Sequence, residues 1–282
     1  MIDTKFLDQL DRFSLIIHKR VTSSYTGTRK SVAPGHGLVI KDYRPYVPGD
    51  DFRSIDWRIY ARTDDFFVRR YEEERNLVVH VIIDSSKSMD FGSGRTKFEF
   101  ASMIGMGMTY LAMKENEKFQ LSTFSDQLDF FRPRKGMNQL AAVLQYLNTQ
   151  KVSGKSNFLE AMRHYKKLIS NRALVVMISD FLFDADQIRD ALYLMGKHDI
   201  KLIQVLDKKE KELKYTGDLK LHDSESRSIL RTFISPRLRM KYRQKLDEHN
   251  HKIESVCDTL GAEFHQLTTD TPIFDAFYQI LK

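Results

Sequence analysis

Cysteine is almost missing from this chain: Cys257 is the single one in 282 residues, so no disulfide can form within it. That usage fits a reducing compartment, with Cys257 as a small buried apolar residue on a helix. Long apolar runs are also missing. A bilayer span needs about 20 consecutive apolar residues; the nearest approach, Phe98 to Met113, is shorter and carries Glu99. The opening Met1-Ile2-Asp3-Thr4-Lys5 lacks a signal-peptide pattern. The resulting expectation is a soluble, cytoplasmic protein with no transmembrane segment. No Gly-x-x-x-x-Gly-Lys-Ser/Thr string occurs, which excludes ATP binding through a P-loop. Gly105-Met106-Gly107 lacks the third glycine of a dinucleotide loop. His249 and His251 are two residues apart on a helical pattern, which puts their imidazoles on different faces and argues against zinc. No internal repeat, low-complexity tract or flexible linker interrupts the chain.

An apolar fraction of 41% supplies a core, and an aromatic fraction of 11% argues against disorder. The formal net charge of +7 permits acidic proteins, nucleic acid or anionic membrane as partners. The basic residues are interleaved with acids and form no aromatic-studded stripe, which leaves nucleic acid without support. Residues 4–20 have helical periodicity through Phe6, Leu7, Leu10 and Phe13. Residues 21–75 are rich in Gly, Pro and charge, with short β-like pieces such as Gly37-Leu38-Val39-Ile40.

From Asn76 the pattern changes. Leu77–Ile83, Leu174–Ile178 and Leu202–Leu206 are nearly continuous apolar runs, as in strands covered on both faces. Helical patterns fall between them, near 96–114, 137–148, 157–170 and 184–197. Phe119–Phe124 and Asp129–Arg132 read as a hairpin pair, and a second hairpin is expected over 218–234 with its turn at 223–226. A helix from Pro236 to Leu260 should stop at Gly261, followed by a strand at 264–267 and a helix at 272–281. Lys208-Lys209-Glu210-Lys211-Glu212 reads as a solvated loop. The expected fold is α/β, a doubly wound, mostly parallel sheet over 76–282, preceded by a small N-terminal helix and β-rich subdomain over 1–75.

The first long strand ends in Asp84-Ser85-Ser86-Lys87-Ser88, one carboxylate and two hydroxyls leaving a buried strand together. Oxygen-only chemistry suits a hard cation such as Mg²⁺ (or Mn²⁺ or Ca²⁺). Asp180 ends another strand, and Ser156 lies in a glycine-containing loop before a helical segment. The blander reading makes Asp84 a helix cap and Ser86 and Ser88 turn residues. Taken together, the positions resemble the metal-ion-dependent adhesion site of von Willebrand factor A domains. That pattern is Asp-x-Ser-x-Ser, then Thr in a later loop, then Asp after a later strand. The resemblance implies Asp84, Ser86, Ser88, Ser156 and Asp180 as metal ligands, Ser156 replacing the usual Thr. Lys155 beside it would weaken metal binding if it pointed inward.

Around the single tryptophan, Gly49, Asp50, Arg53, Ile55, Asp56, Trp57, Ala61 and Arg62 match Gly-Asp-x-x-Arg-x-Ile-Asp-Trp-x-x-x-Ala-Arg. Phe91-Gly92 after the pentad, Val205-Leu206-Asp207 and Thr268-Thr269-Asp270 extend the likeness. The chain thus resembles the domain-of-unknown-function family 58, von Willebrand A relatives often associated with MoxR-type AAA+ ATPases. From the residues themselves, Arg53, Arg58 and Arg62 are expected to staple the subdomain through Asp50, Asp51 and Asp56, the alternative being a docking surface for an acidic partner, and Trp57 is expected as a core anchor rather than a recognition aromatic. The resemblance implies a MoxR-type AAA+ ATPase partner in assembly or maturation of protein complexes. With no obvious general base beside the acids, binding is favoured over catalysis. The expected function is therefore a non-enzymatic interaction module whose metal takes a partner's acidic residue. The alternative is a Mg²⁺-dependent phosphoesterase, although Ser86 stands where an aspartyl-phosphate enzyme wants a second Asp.

Overall fold

The structure is a computed structural model that describes residues 6, 39–72, 78–92, 94–115, 117–131, 138–213, 215, 217–222, 224 and 228–282. Apart from Phe6, the helix expected at 4–20 lies outside these residues, as does most of the turn at 223–226. The chain divides into two compact units, Ile17–Asn76 and the remainder, Met1–Ile16 with Leu77–Lys282. Phe6, read as part of the N-terminal subdomain, packs into the core of the larger unit.

In the smaller unit, Val39–Pro45 (β1) pairs antiparallel with Phe67–Glu72 (β2), with an irregularity between Ile40 and Asp42. The connection holds a 3₁₀ turn at Phe52–Ser54 and a helix at Trp57–Thr63 (α1), capped by the side chains of Asp51 and Asp56. The acids of the motif are all used, but Arg53 and Arg58 reach Asp51 and Asp56 only through their backbone N–H groups, not as side-chain staples. Arg44 clamps Asp50 through two bonds of 2.7 and 2.6 Å. Arg69 Nε donates to Asp56 at 3.0 Å. Arg53, Arg58 and Arg62 are exposed. Trp57 also departs from expectation: it is 55% exposed, edge-on to Tyr60 and Phe66, while Ile55 and Asp56 are the buried residues of the motif. Among the described residues of this unit, two strands, a 3₁₀ turn and one short helix surround the indole, too little to enclose it.

The larger unit is built on a six-stranded sheet. Its strands are Val78–Asp84 (β3), Lys118–Phe124 (β4), Leu128–Phe131 (β5), Leu174–Ser179 (β6), Asp199–Leu206 (β7) and Glu263–Thr268 (β10). Their order is β10-β7-β6-β3-β4-β5, parallel throughout except for β5 against β4. Between β7 and β10 in sequence, Gly217–His222 (β8) and Ile229–Ile234 (β9) form a separate antiparallel pair.

Side chains alternate across the sheet, so each face of β3 feeds its own core. Val81 and Ile83 join the helices Lys97–Lys114 (α2), Asn138–Thr149 (α3) and, at the C-terminal end, Ile273–Ile280 (α8). Ile82 joins Phe158–Lys166 (α4), Ala185–Met195 (α5) and Pro236–Leu260 (α7) on the other face. A short helix, Lys208–Glu212 (α6), stands where the sequence suggested a loop. Gly105 and Gly107 bring α2 close: an added Cβ at Gly105 would press on Ile83 at 2.6 Å, and one at Gly107 would collide with the Phe277 ring. Glycine here serves helix packing rather than phosphate binding. Among the described residues, no helix is long and apolar enough to cross a membrane.

Candidate functional site

The chain leaves β3 for β4 on one side and returns later to place β6 on the other, so the carboxyl ends of β3 and β6 flank a switch point. In open α/β sheets such crevices are where ligands sit. Asp84 ends β3, and Ser179 and Asp180 end β6. The third contributor is the 153–156 connection between α3 and α4. Backbone bonds fasten it in place: Ser153 N donates to Ser85 O and Lys87 N to Gly154 O, each at 3.0 Å. Asp126 adds a bond to Lys155 N at 3.0 Å. Gly154 has a φ of +83°, and a side chain there would collide with the Asp126 carboxylate. This turn delivers Ser156 to the ends of the strands.

Asp84 is fully buried and uses both oxygens. Oδ1 serves the local turn, accepting from Ser86 N at 2.8 Å. Oδ2 reaches across the molecule, accepting from Ser156 Oγ at 3.0 Å and Ser179 Oγ at 2.7 Å. The Ser86 and Ser88 hydroxyls lie 3.0 Å apart on the 3₁₀ turn Lys87–Asp90 and the residue before it. The bland reading of a capped turn is therefore true of one Asp84 oxygen only. Burial, then the neighbouring Asp180, pushes the Asp84 carboxyl up to about 6, against the hydrogen bonds that favour its charge.

Asp180 is held apart from this hydrogen-bonded group by a different partner. Its Oδ2 accepts from Lys97 Nζ at 2.8 Å, and its Oδ1 from Leu182 N at 3.3 Å. Its carbonyl accepts from Gln204 at 3.0 Å. The next residue, Phe181, adopts a left-handed φ of 49°, which buries its ring against Phe158 and Phe183. That conformation is uncommon for a bulky residue and turns the chain sharply away from the acid.

Lys97, not Lys155, is the cation that reaches the site. Lys155 is exposed, whereas Lys97 is 1% exposed, with Nζ also 2.9 Å from Glu210 Oε1. Burial pulls the Lys97 ammonium down, but Asp180 and Glu210 together outweigh it and leave the group above its ordinary value. Lys97, Ser179 and Glu210 were not singled out from sequence. The one available signal was Asp207-x-x-Glu210, a capping box that forms here and fixes the acid on α6.

Among the described residues, no three His, Cys, Asp or Glu side chains stand together as a metal-ligand group. The candidate donor set is of another kind: the hydroxyls of Ser86, Ser88 and Ser156 with the carboxylates of Asp84 and Asp180. Oxygen donors in this balance of neutral and charged groups fit a hard divalent cation. The buried like-charge pair Asp84 and Asp180 is a second sign of fit, because a cation between them would offset its cost. Ser88 and Ser156 are half-buried while Asp84, Ser86 and Asp180 are buried, so the cluster reaches solvent on the serine side, beside exposed Lys87 and Lys155.

A profile of the family described as a protein of unknown function, DUF58, matches residues 42–252. The uncharacterized protein Rv1480 of Mycobacterium tuberculosis is 27% identical over 273 residues, covering 95% of this chain and 86% of that protein. The uncharacterized protein YeaD of Bacillus subtilis is 21% identical over 136 residues, covering 48% and 32%. Among solved structures, the conserved hypothetical protein BatB from Bacteroides thetaiotaomicron superposes with a TM-score of 0.45 at 10% identity, covering 73% of this chain and 97% of that one. An aerotolerance-related membrane protein from Bacteroides fragilis does so at 0.46 and 10%, covering 73% and 98%.

Proposed function

Since this chain belongs to the DUF58 family, we propose from its own geometry that it is a non-enzymatic protein-interaction module. In this reading its larger unit holds Mg²⁺ (or Mn²⁺ or Ca²⁺) at a metal-ion-dependent adhesion site of the von Willebrand factor A type. The observation that carries the reading is the convergence on Asp84 Oδ2 of Ser156 and Ser179, residues far from it in sequence, beside Ser86, Ser88 and Asp180. Ser86, Ser88 and Ser156 would supply neutral oxygens, and Asp84 and Asp180 would balance the charge directly or through water. When bound, the ion supplies an electrophilic position on the half-buried serine side. A partner's Asp or Glu would complete its shell there, drawn by exposed Lys155, whereas Lys87 is already paired with Asp90. The resemblance carried by the motif from Gly49 to Arg62 favours a MoxR-type AAA+ ATPase as partner, in assembly or maturation of protein complexes, and the single cysteine favours a cytoplasmic setting.

Thermal unfolding with and without Mg²⁺ tests the metal. Millimolar Mg²⁺ should raise the melting temperature of the wild type and leave Asp84→Ala unmoved. Equal shifts in both proteins, or Mg²⁺-dependent hydrolysis of a generic phosphate ester that Asp84→Ala abolishes, would overturn the reading.

A further inference from the structure

Lys97 stands where a lysine is doubly disfavoured. It is buried, and it lies in the first turn of α2, where the helix dipole opposes positive charge. Two acids offset those costs. The ammonium divides itself between Asp180 at 2.8 Å and Glu210 at 2.9 Å, with the Phe91 ring centroid 5.9 Å away. Glu210 in turn is fixed by its place on α6, where its other oxygen accepts from Asp207 N at 3.2 Å. Asp207 is tied to the β10–α8 connection by Thr269 Oγ1 at 3.0 Å. Lys97 occupies Asp180 Oδ2, so an ion that draws on Asp180 shares that carboxylate with an ammonium of the same sign as itself.

We propose that Lys97 sets the cation affinity of the site: it is a resident positive charge that competes for Asp180, and Glu210 is the acid that draws it away. This rests on the metal reading above. The charge count explains the arrangement. Asp84 lies beside Asp180, Asp180 and Glu210 both pair with Lys97, and Lys97 returns one positive charge to this chain of three acids. The resident ammonium keeps the unloaded cluster from accumulating unpaired acids. It also keeps the ion's hold loose, so that firm retention awaits the carboxylate a partner brings. Glu210 does not belong to the donor set, yet it governs how much of Lys97 rests on Asp180.

The two residues therefore push metal affinity in opposite directions. Titration calorimetry with Mn²⁺ as the probe, on the full chain, reads this directly. Lys97→Met should bind Mn²⁺ about tenfold tighter or more than wild type, because a buried positive charge beside the ion is gone. Glu210→Gln should bind it several-fold weaker, because Lys97 then rests wholly on Asp180. Asp84→Asn serves as the control that removes the site. Binding in Lys97→Met with none detectable in wild type also supports the inference.

Equal or weaker binding in a folded Lys97→Met overturns it, as does, where wild type binds measurably, unchanged affinity in Glu210→Gln. Should Lys97→Met not fold, Glu210→Gln decides alone, its side chain being partly exposed. Absence of Mn²⁺ binding in wild type, Lys97→Met and Glu210→Gln alike defeats the metal reading itself. Affinity lost in Asp84→Asn and indifferent to the other two variants defeats only the role of Lys97.

Discussion

His80 interrupts the apolar run of β3, a break visible in the sequence that a buried strand accommodates with a hydrogen-bond partner; Tyr165 Oη lies 2.9 Å from its Nδ1. Burial lowers its pKa to about 4, with His198 adding to the effect. The neutral ring is the folded form, so stability is fully present above the ordinary histidine value and is lost as pH falls through the window from 6.5 to about 4. Between pH 7.5 and 4.5 the wild type should lose roughly 2–3 kcal/mol more than His80→Phe in urea unfolding. Asp84 titrates in the same window with the opposite sign. Its raised carboxyl is relieved by protonation on acidification, and subtracting the two proteins cancels that contribution. Equal losses in both would show that His80 is not held neutral. Other residues were not legible. A lysine at the start of a helix reads as solvated, and nothing local reveals that Lys97 turns inward to acids 83 and 113 positions away. Trp57 misled for the converse reason: hydrophobicity alone does not place a ring, and this one stays 55% exposed.

Elements were legible where their own sequence carries their stability. β3, β6 and β7 are continuous apolar runs because both faces are covered, and α7 announces itself through Ser235, Pro236 and the left-handed Gly261. α6 was missed because Lys-Lys-Glu-Lys-Glu has no apolar period; its caps make it a helix, and Lys97 gives it a buried contact. The loop between α3 and α4 was legible as the source of Ser156 but not in how it holds Ser156. Gly154 bears that burden. Alanine there should cost about 1–3 kcal/mol from the left-handed backbone and the collision with Asp126. It should also abolish the Mg²⁺-dependent rise in melting temperature, because Ser156 is displaced. Gly196 is the matched control: it follows α5 with ordinary φ, and an added Cβ meets nothing nearer than 3.5 Å. Gly196→Ala should leave both stability and the Mg²⁺ response nearly unchanged. A Gly154→Ala protein that behaved like it would show the loop to be dispensable for the site.

Strand order is the property that no local pattern carries. Apolar runs announce parallel strands, yet only long-range pairing decides that β6 lies beside β3 and brings residue 180 to residue 84. The proposed site is consequently a product of the whole larger unit, and metal binding should be linked to its global unfolding. With Mg²⁺ at about a hundredfold above its dissociation constant, linkage adds about 2.7 kcal/mol to the folded state. Native-state hydrogen exchange separates this from local binding. The slowest amides of β3 and β6 exchange through global opening, and both should slow by about the same hundredfold factor on adding Mg²⁺. Amides of the 85–88 and 153–157 connections should slow as well, since the hydroxyls that would hold the ion belong to both. An ion held by the Asp84-to-Ser88 turn alone would protect that turn and leave β6 at its former rate, and that pattern would exclude a site shared between the strands. The comparison is informative because Asp84→Ala should remove the slowing from β6 as completely as from β3, although the substituted residue lies on β3.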